Sequence, residues 1–267
     1  MEFSRKTLIF ALAMKENKQT WQHIPEAEFP WQYKYPHSAI ANDCVIFTYQ
    51  VSELKVLLIR RGEGPHTGVW ALPGGFLKNT ETAQQGAIRE LYEETGLGLT
   101  LSSPPKQFGV YSDPKRDPRE RVISIAWYAF TRPSEVHGGS DADKAAWFSV
   151  DELPPLAFDH RKILEDAKKQ LKRDIYFEPI GFELLDEEFT LPDLRRLYEK
   201  ILGRKFDPRN FQRKMLASNI LEDTGLKEGW ECSRNIVYES KIGRAAPLYR
   251  LDTAKYQQLK DDNNLEF

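Results

Sequence analysis

Hydrophobic and polar positions along this chain switch between two periods, and the switches divide it into elements. Residues 44–49 (CVIFTY) form an unbroken apolar, β-branched run that predicts a buried strand. A turn around Ser52-Glu53 leads to residues 54–60 (LKVLLIR), a second strand, and the two predict a hairpin. Gly62, Gly64 and Pro65 mark a loop, and residues 69–72 (VWAL) a short strand ended by Pro73. Residues 82–95 then take the helical period, with Gly96 as the stop. Strands are predicted at 107–111 and 121–130, around a charged loop at 113–119, and again at 145–148 after Gly138-Gly139. Over 159–173, Ile163, Ala167 and Leu171 recur with charges opposite, which predicts a closing helix. Strands with one inserted and one closing helix imply an α/β sandwich over residues 38 to about 173.

A second unit follows the turn at Pro179-Ile180-Gly181. Thr190-Leu191-Pro192-Asp193 opens a helix whose stripe is Leu194, Leu197, Ile201 and Leu202 and whose stop is Gly203. Asp207-Pro208 opens another, with Phe211, Met215 and Leu216 expected inward. Gly225, Gly229 and Gly243 then punctuate a strand-turn-strand reading that ends at residues 247–251. Two helices followed by a hairpin suggest a winged helix. The chain therefore reads as α+β, with an N-terminal arm at 1–37, a first domain at 38–175 and a winged-helix-like domain at 176–267.

Composition narrows the classes. At 267 residues, 40% hydrophobic and 29% charged, each half can bury a core. A net charge of −2 provides no global field toward nucleic acid or membrane, so such binding needs a local patch. Cys44 and Cys232 stand far apart without metal spacing, which fits a reducing cytoplasm better than a disulfide framework. Arg5 and Lys6 precede an apolar run at 8–14, as in a secretory signal. The run is short and ends in Lys15-Glu16-Asn17-Lys18 without a cleavage site, so a short helix or extension is expected, and no stretch has membrane-spanning length. Residues 21–37, rich in aromatics and prolines, suit an arm lying on another surface.

The chemistry concentrates in residues 74–97. On a helical wheel Glu93 and Glu94 fall on either side of Glu90, with Ile88, Leu91 and Tyr92 placed to anchor the helix to a sheet. Like charges at these spacings destabilise a helix. A divalent cation would remove the repulsion, and oxygen-only ligands favour Mg2+ or Mn2+ over zinc. Three glutamates alone read more simply as a solvated acidic face. Pro73-Gly74-Gly75, however, lets the backbone approach a ligand. Gly86 in mid-helix, at about 1 kcal/mol relative to alanine, implies close packing. Arg89 can steady Glu93, and Glu81 can pair with Arg89.

Gly75, Glu81, Arg89, Glu90, Leu91, Glu93, Glu94, Gly96 and Leu97 fill every fixed position of a pattern that resembles the Nudix box. The resemblance implies an α/β/α mixed-sheet sandwich, cleavage of a nucleoside diphosphate joined to another group, and Mg2+ held by Glu90, Glu93 and Glu94. Glu93 or Glu94 would take the proton, with Glu81 and Arg89 orienting. Residues 70–76 (WALPGGF), Asp117-Pro118-Arg119, residues 156–160 (LAFDH), Phe189-Thr190-Leu191 and residues 243–249 (GRAAPLY) further resemble the Nudix branch that carries a C-terminal winged helix. That branch includes ADP-ribose pyrophosphatases and transcriptional regulators of NAD or sugar metabolism. Its wing usually reads Gly-Arg-Pro-Ala, whereas Ala245 stands at the proline here. Regulators of the branch often carry a damaged box. This box is whole, so hydrolysis of ADP-ribose to AMP and ribose 5-phosphate is expected, and a metabolite-sensing, DNA-binding regulator is the alternative.

Gly74, Gly75, Arg60, Arg119 and Arg121 are candidate substrate contacts, although each arginine also suits an ordinary surface position. His160 reads more readily as a packing or capping residue than as a substrate contact. Arg209, Arg213 and Lys214, with Arg204 and Lys205 before them, form the candidate DNA face, offset by acidic clusters nearby. A homodimer is expected from the resemblance, with the aromatic arm as a candidate for exchange.

Overall fold

In the computed structural model, which describes residues 36–99, 104–139, 142–176, 178, 180–227 and 246–261, the apolar run at 44–49 is the middle of β1 (Ala39–Gln50). It turns directly into β2 (Glu53–Arg61). The turn lies one residue earlier than expected: Val51 and Ser52 take φ 52° and 60°, and Glu53 already pairs with Gln50. Positive φ at both central residues matches the right-handed twist of a two-residue hairpin.

β1 keeps β2 as a neighbour only along its C-terminal part, where Phe47 faces Val56. Nearer its start, Ala41, Asn42 and Asp43 pair instead with β4 (Gly74–Phe76). The other edge of β1 runs parallel to β6 (Val122–Phe130). β2 in turn pairs with the short β3 (Trp70–Ala71) and with β7 (Ala142–Ser149). β5 (Lys106–Tyr111) closes the far side against β6. The result is a mixed seven-stranded sheet. The stretch from β3 through β4 lies where β1 and β2 part.

Alternation along β1 assigns the two faces. Cys44 and Ile46 point toward α1 (Ala83–Thr95), packing with Ala87, Leu91, Leu57 and Trp127. Val45, Phe47 and Tyr49 point toward α2 (His160–Asp174), packing with Ile163, Leu164, Ala167 and Leu171. The sandwich is thus α/β/α, and both helices lie close to their expected limits. The anchoring stripe of α1 is shifted from the expected one. Small Ala87 lets the helix approach the sheet, and Glu94 is buried with it, while Tyr92 is only half-buried.

Beyond α2 come α3 (Ile180–Leu184), α4 (Leu191–Leu202) and α5 (Pro208–Ala217). The pair β8 (Leu221–Lys227) and β9 (Pro247–Leu251) and a last helix, α6 (Thr253–Asp261), complete the second unit. Thr190 caps α4 in a reciprocal capping box with Asp193, and Gly203 ends it at φ 70°. Phe189 adds a bridge to Tyr249 beside the two-stranded sheet. Leu216, expected inward, is 43% exposed, because α5 seats only Phe211 and Met215. Residues 1–35 of the arm, Cys232, Gly229, Gly243 and the wing residues 228–245 lie outside the described residues. One apolar cluster runs from Val45, Phe47 and Leu171 to Leu194, Leu197, Phe211 and Tyr249, so the two units share a core. Among the described residues no helix is long and apolar enough to cross a membrane.

Candidate functional site

The site is built on α1. Thr82 caps it: its hydroxyl accepts from the Gln85 N–H, and the Gln85 side chain accepts from the Thr82 N–H. Gly96 ends the helix at φ 70°. Gly74 must lack a side chain, since a Cβ there would stand 2.0 Å from the Asn42 carbonyl oxygen. At Gly75 a Cβ would meet the Glu90 carboxyl carbon at 2.6 Å, so the bare turn leaves room for that carboxylate.

Arg89 organises the charges. Its Nε donates to Glu81 Oε2 at 2.8 Å, and its Nη2 to Glu81 Oε1 at 2.5 Å and to the Phe76 carbonyl at 3.2 Å. Its Nη1 donates to Glu90 Oε1 at 2.7 Å and Glu93 Oε2 at 3.0 Å. Every guanidinium N–H therefore has an acceptor. Burial would lower the Arg89 pKa, but the Glu81 and Glu90 carboxylates reverse that and raise it. Burial would raise Glu81, but the Arg89 fork and the Lys78 N–H hold it below the usual carboxylate range. Glu90 is pushed upward, first by burial, with Arg89 opposing and the Glu93 charge adding to the rise.

The three candidate metal carboxylates differ in setting. Glu94 is 2% exposed and accepts the Gly74 N–H at 2.8 Å. The Glu93 side chain is 42% exposed. Glu90 lies between them, largely covered. As placed, no group of three or more such side chains among the described residues is gathered closely enough to hold a metal ion. Arg89 draws Glu90 and Glu93 to itself, and the turn holds Glu94. The donor set nevertheless fits a hard cation: it consists of carboxylate oxygens only, on one helix, with mutual repulsion to relieve.

The remaining candidates scatter. Arg60 turns to the Gly68 carbonyl at 3.0 Å. Its neighbour Arg61 lies over the Phe158 ring. Arg119 is forked on Asp117 and stands over Phe76, next to the box. Arg121 is exposed at the start of β6, where its carbonyl accepts the Ala39 N–H. His160 is buried, accepting the Leu72 N–H at Nδ1 and meeting Asp43 at Nε2, which is the packing role expected of it. In the second unit Arg209, Arg213 and Lys214 are exposed on α5.

A buried charge cluster stands behind the glycine turn. Asp43 accepts from Ser124 at 2.5 Å and Arg116 at 2.9 Å, and Arg116 also reaches Asp159 at 2.8 Å. Burial would raise the Asp43 pKa. The His160 contact, the Arg116 charge and the Ser124 hydroxyl hold it well below the carboxylate range instead. Since Asp43 is the strand partner of Gly74, this cluster fixes the turn. Its members come from separate segments, so no spacing in the sequence announces it. Two cavities, about 680 Å3 beside β5 and α2 and about 540 Å3 between α2 and α4, lie away from the carboxylates.

Comparison with known proteins finds matches to both units of the chain. A family model described as NUDIX domain matches residues 40–167. One described as NrtR DNA-binding winged helix domain matches residues 181–251. An ADP-ribose pyrophosphatase of Methanocaldococcus jannaschii is 40% identical over 158 residues, covering 59% of this chain and 89% of that protein. The ADPR responsive transcriptional repressor NtrR of Acinetobacter baylyi is 30% identical over 241 residues, covering 86% of this chain and 90% of that protein. The crystal structure of Shewanella oneidensis NrtR complexed with a 27mer DNA superposes with a TM-score of 0.65 at 29% identity, over 79% of this chain and 93% of that one.

Proposed function

Since this chain belongs to the Nudix family, in the branch whose Nudix domain is followed by an NrtR-type winged helix, we propose that it is a divalent-cation-dependent hydrolase of ADP-ribose. The products are AMP and ribose 5-phosphate. The observation that carries this reading is the complete carboxylate set around Arg89, with Glu94 tied to the glycine turn. Glu90, Glu93 and Glu94 would hold the cation, Mg2+ with Mn2+ as substitute. When bound, it neutralises diphosphate charge and makes a water nucleophilic near neutral pH.

The chain's own groups do the rest. Glu81 and the Phe76 carbonyl fix Arg89 through Nε and Nη2, leaving Nη1 to orient Glu90 and Glu93. Gly74 and Gly75 keep the wall beside these carboxylates bare for the substrate. The water oxygen bonds to one phosphorus and the bridging P–O bond breaks toward the other phosphate. Glu93 accepts the proton, since its side chain is open to solvent although Arg89 Nη1 donates to its Oε2, whereas Glu94 is buried. The test is AMP release from ADP-ribose with Mg2+. Glu93→Gln and Glu94→Gln are expected to lower kcat by about 10²- to 10⁴-fold. Absence of hydrolysis of ADP-ribose and of other nucleoside diphosphate derivatives by the wild type would overturn the reading.

A second reading, regulation through DNA, is favoured by the exposed Arg209, Arg213 and Lys214 on α5, the helix that follows the tight turn after α4. The relative from Acinetobacter baylyi is named an ADPR responsive repressor, so the ligand sensed would be the same ADP-ribose. Its test is a duplex shift at graded salt, with and without ADP-ribose. The shift is expected to be lost in Arg209→Ala/Arg213→Ala, and no shift at low salt counts against it. A homodimer in the cytoplasm belongs to the same reading, and a monomeric mass in solution would remove the dimer.

A further inference from the structure

The helices that join the two units carry a basic edge beside their apolar stripes. Lys168 and Lys172, one turn apart on α2, come from the first unit. Arg196 and Lys200 on α4, with Arg204 and Lys205 just past its end, come from the second. All six line the cavity of about 540 Å3 between these helices. Arg204 and Lys205 precede the α5 face in sequence, but the structure places them on this cleft. Only two acids share the lining, Asp151 and Glu199, which leaves a net of four positive charges in a chain whose total is −2. α2 and α4 both end here, and each helix C-terminus brings about half a negative charge, so the dipoles offset only about one of the four.

Both acids are already engaged. Asp151 accepts from Lys200 Nζ at 2.7 Å. Glu199 is buried and accepts from Lys205 Nζ at 3.1 Å, Arg195 Nη1 at 2.6 Å and the Phe206 N–H at 3.0 Å. Arg196 pairs with Asp193, and Lys168 reaches Glu165 only at 3.6 Å. Among the described residues no carboxylate pairs with Lys172 or Arg204. Arg204 donates to the Tyr176 hydroxyl at 3.0 Å and lies over the Phe206 ring, and Lys172 is exposed beside Gly203. Lys200 holds the Asp151 carboxyl below the usual carboxylate range, and the Lys168 and Lys172 charges add to this. The fields of the two units therefore meet at one point.

Lysines on a convex helix face are ordinary solvated charges. These cations face one another across a concave joint, whose low-dielectric walls focus their field. A multivalent anion would relieve the repulsion between the units, and ammonium and guanidinium donors suit phosphate oxygens. We propose that the cleft between α2 and α4 is a binding site for a small oligophosphate, separate from the glutamate helix. A free polyphosphate and the phosphate tail of a nucleotide share this chemistry. The proposal is independent of the hydrolase reading.

The test is a calorimetric titration of the full chain with inorganic tripolyphosphate, at constant ionic strength and without divalent cations, so that no turnover occurs. The wild type is expected to bind. Lys172→Glu should weaken binding about tenfold or more, and Lys172→Arg should keep it. Glu93→Gln/Glu94→Gln should bind like the wild type, which sets the cleft apart from the box. A parallel titration with ATP separates the sources: tighter binding than tripolyphosphate assigns a nucleotide, and equal or weaker binding a free polyphosphate. A wild type that does not bind tripolyphosphate overturns the proposal, as does unchanged binding in Lys172→Glu or loss of binding in Glu93→Gln/Glu94→Gln. Loss of duplex binding in Lys172→Glu without any binding of tripolyphosphate also overturns it, since the cations would then serve a duplex. If Lys172→Glu fails to fold, Lys168→Ala/Lys172→Ala decides by the same titration.

Discussion

A methyl group on Gly86 would stand 2.9 Å from Asn42 Nδ2, from Glu81 Oε1 and from Leu77 Cδ1. None of the polar neighbours can give way easily: Asn42 is held by the Trp127 indole and Glu81 by the Lys78 N–H and Arg89. Alanine would gain about 1 kcal/mol in helix propensity, but overpacking costs about 1–3 kcal/mol. Gly86→Ala is therefore expected to lower stability in urea and to lower kcat by disturbing the Glu81–Arg89 pair; a more stable, fully active variant would contradict this. Asp43 supplies a pH signature. Its folded pKa is depressed, so its stabilisation is present above the unfolded value of about 3.9 and is lost as pH falls through the folded value. Asp43→Asn should destabilise the protein by about 3 kcal/mol at pH 7. The gap to wild type should narrow below about pH 4, and a gap independent of pH would refute the assignment. At this scale the box was readable because its residues sit on one helix at fixed spacings. Asp43, Ser124, Arg116 and His160 were not, since tertiary structure alone joins them. Arg60 and Arg61 differ only in the strand face they take, and the sequence pattern named the one that turns to the Gly68 carbonyl.

The elements were legible where length and period agreed. β1, β2, β6, α1, α2, α4 and α5 follow from apolar runs or stripes closed by Thr, Asp or Gly. β4 has three residues, two of them glycine, and reads as a turn until Asn42 and Asp43 pair with it. α3 has a single turn or so, and α6 a mostly polar face, so neither stands out from loop. Element ends carry measurable weight. Thr82→Ala removes the α1 cap and should cost about 1 kcal/mol, read from the urea midpoint; no change would mean that Gln85 alone suffices. The hairpin invites the opposite effect. Val51 is β-branched, half-exposed and left-handed. Val51→Asn with Ser52→Gly should raise stability by about 1 kcal/mol, and a lower thermal midpoint would show that the observed turn is misjudged.

Across the whole molecule, the apolar cluster does not stop where the first domain would end. Leu171 and Ile175 pack in the same cluster as Leu194, Leu197 and Phe211. Lys200 reaches Asp151 at 2.7 Å, and Arg132 reaches the Leu185 carbonyl at 3.3 Å. Pattern reading separates two units because their periods differ, but it cannot see that their apolar faces meet. Calorimetry is expected to give one unfolding transition for the chain, and two resolved peaks would contradict a common core. The shared core has a further consequence for any ligand and duplex that bind the two units. Neither could alter the other by swinging a tether, so their influence must pass through a packed interior as a coupling free energy. That coupling would be reciprocal: if α5 grips a duplex and α1 holds a nucleotide, whatever factor the nucleotide takes from the first, the duplex takes from the second.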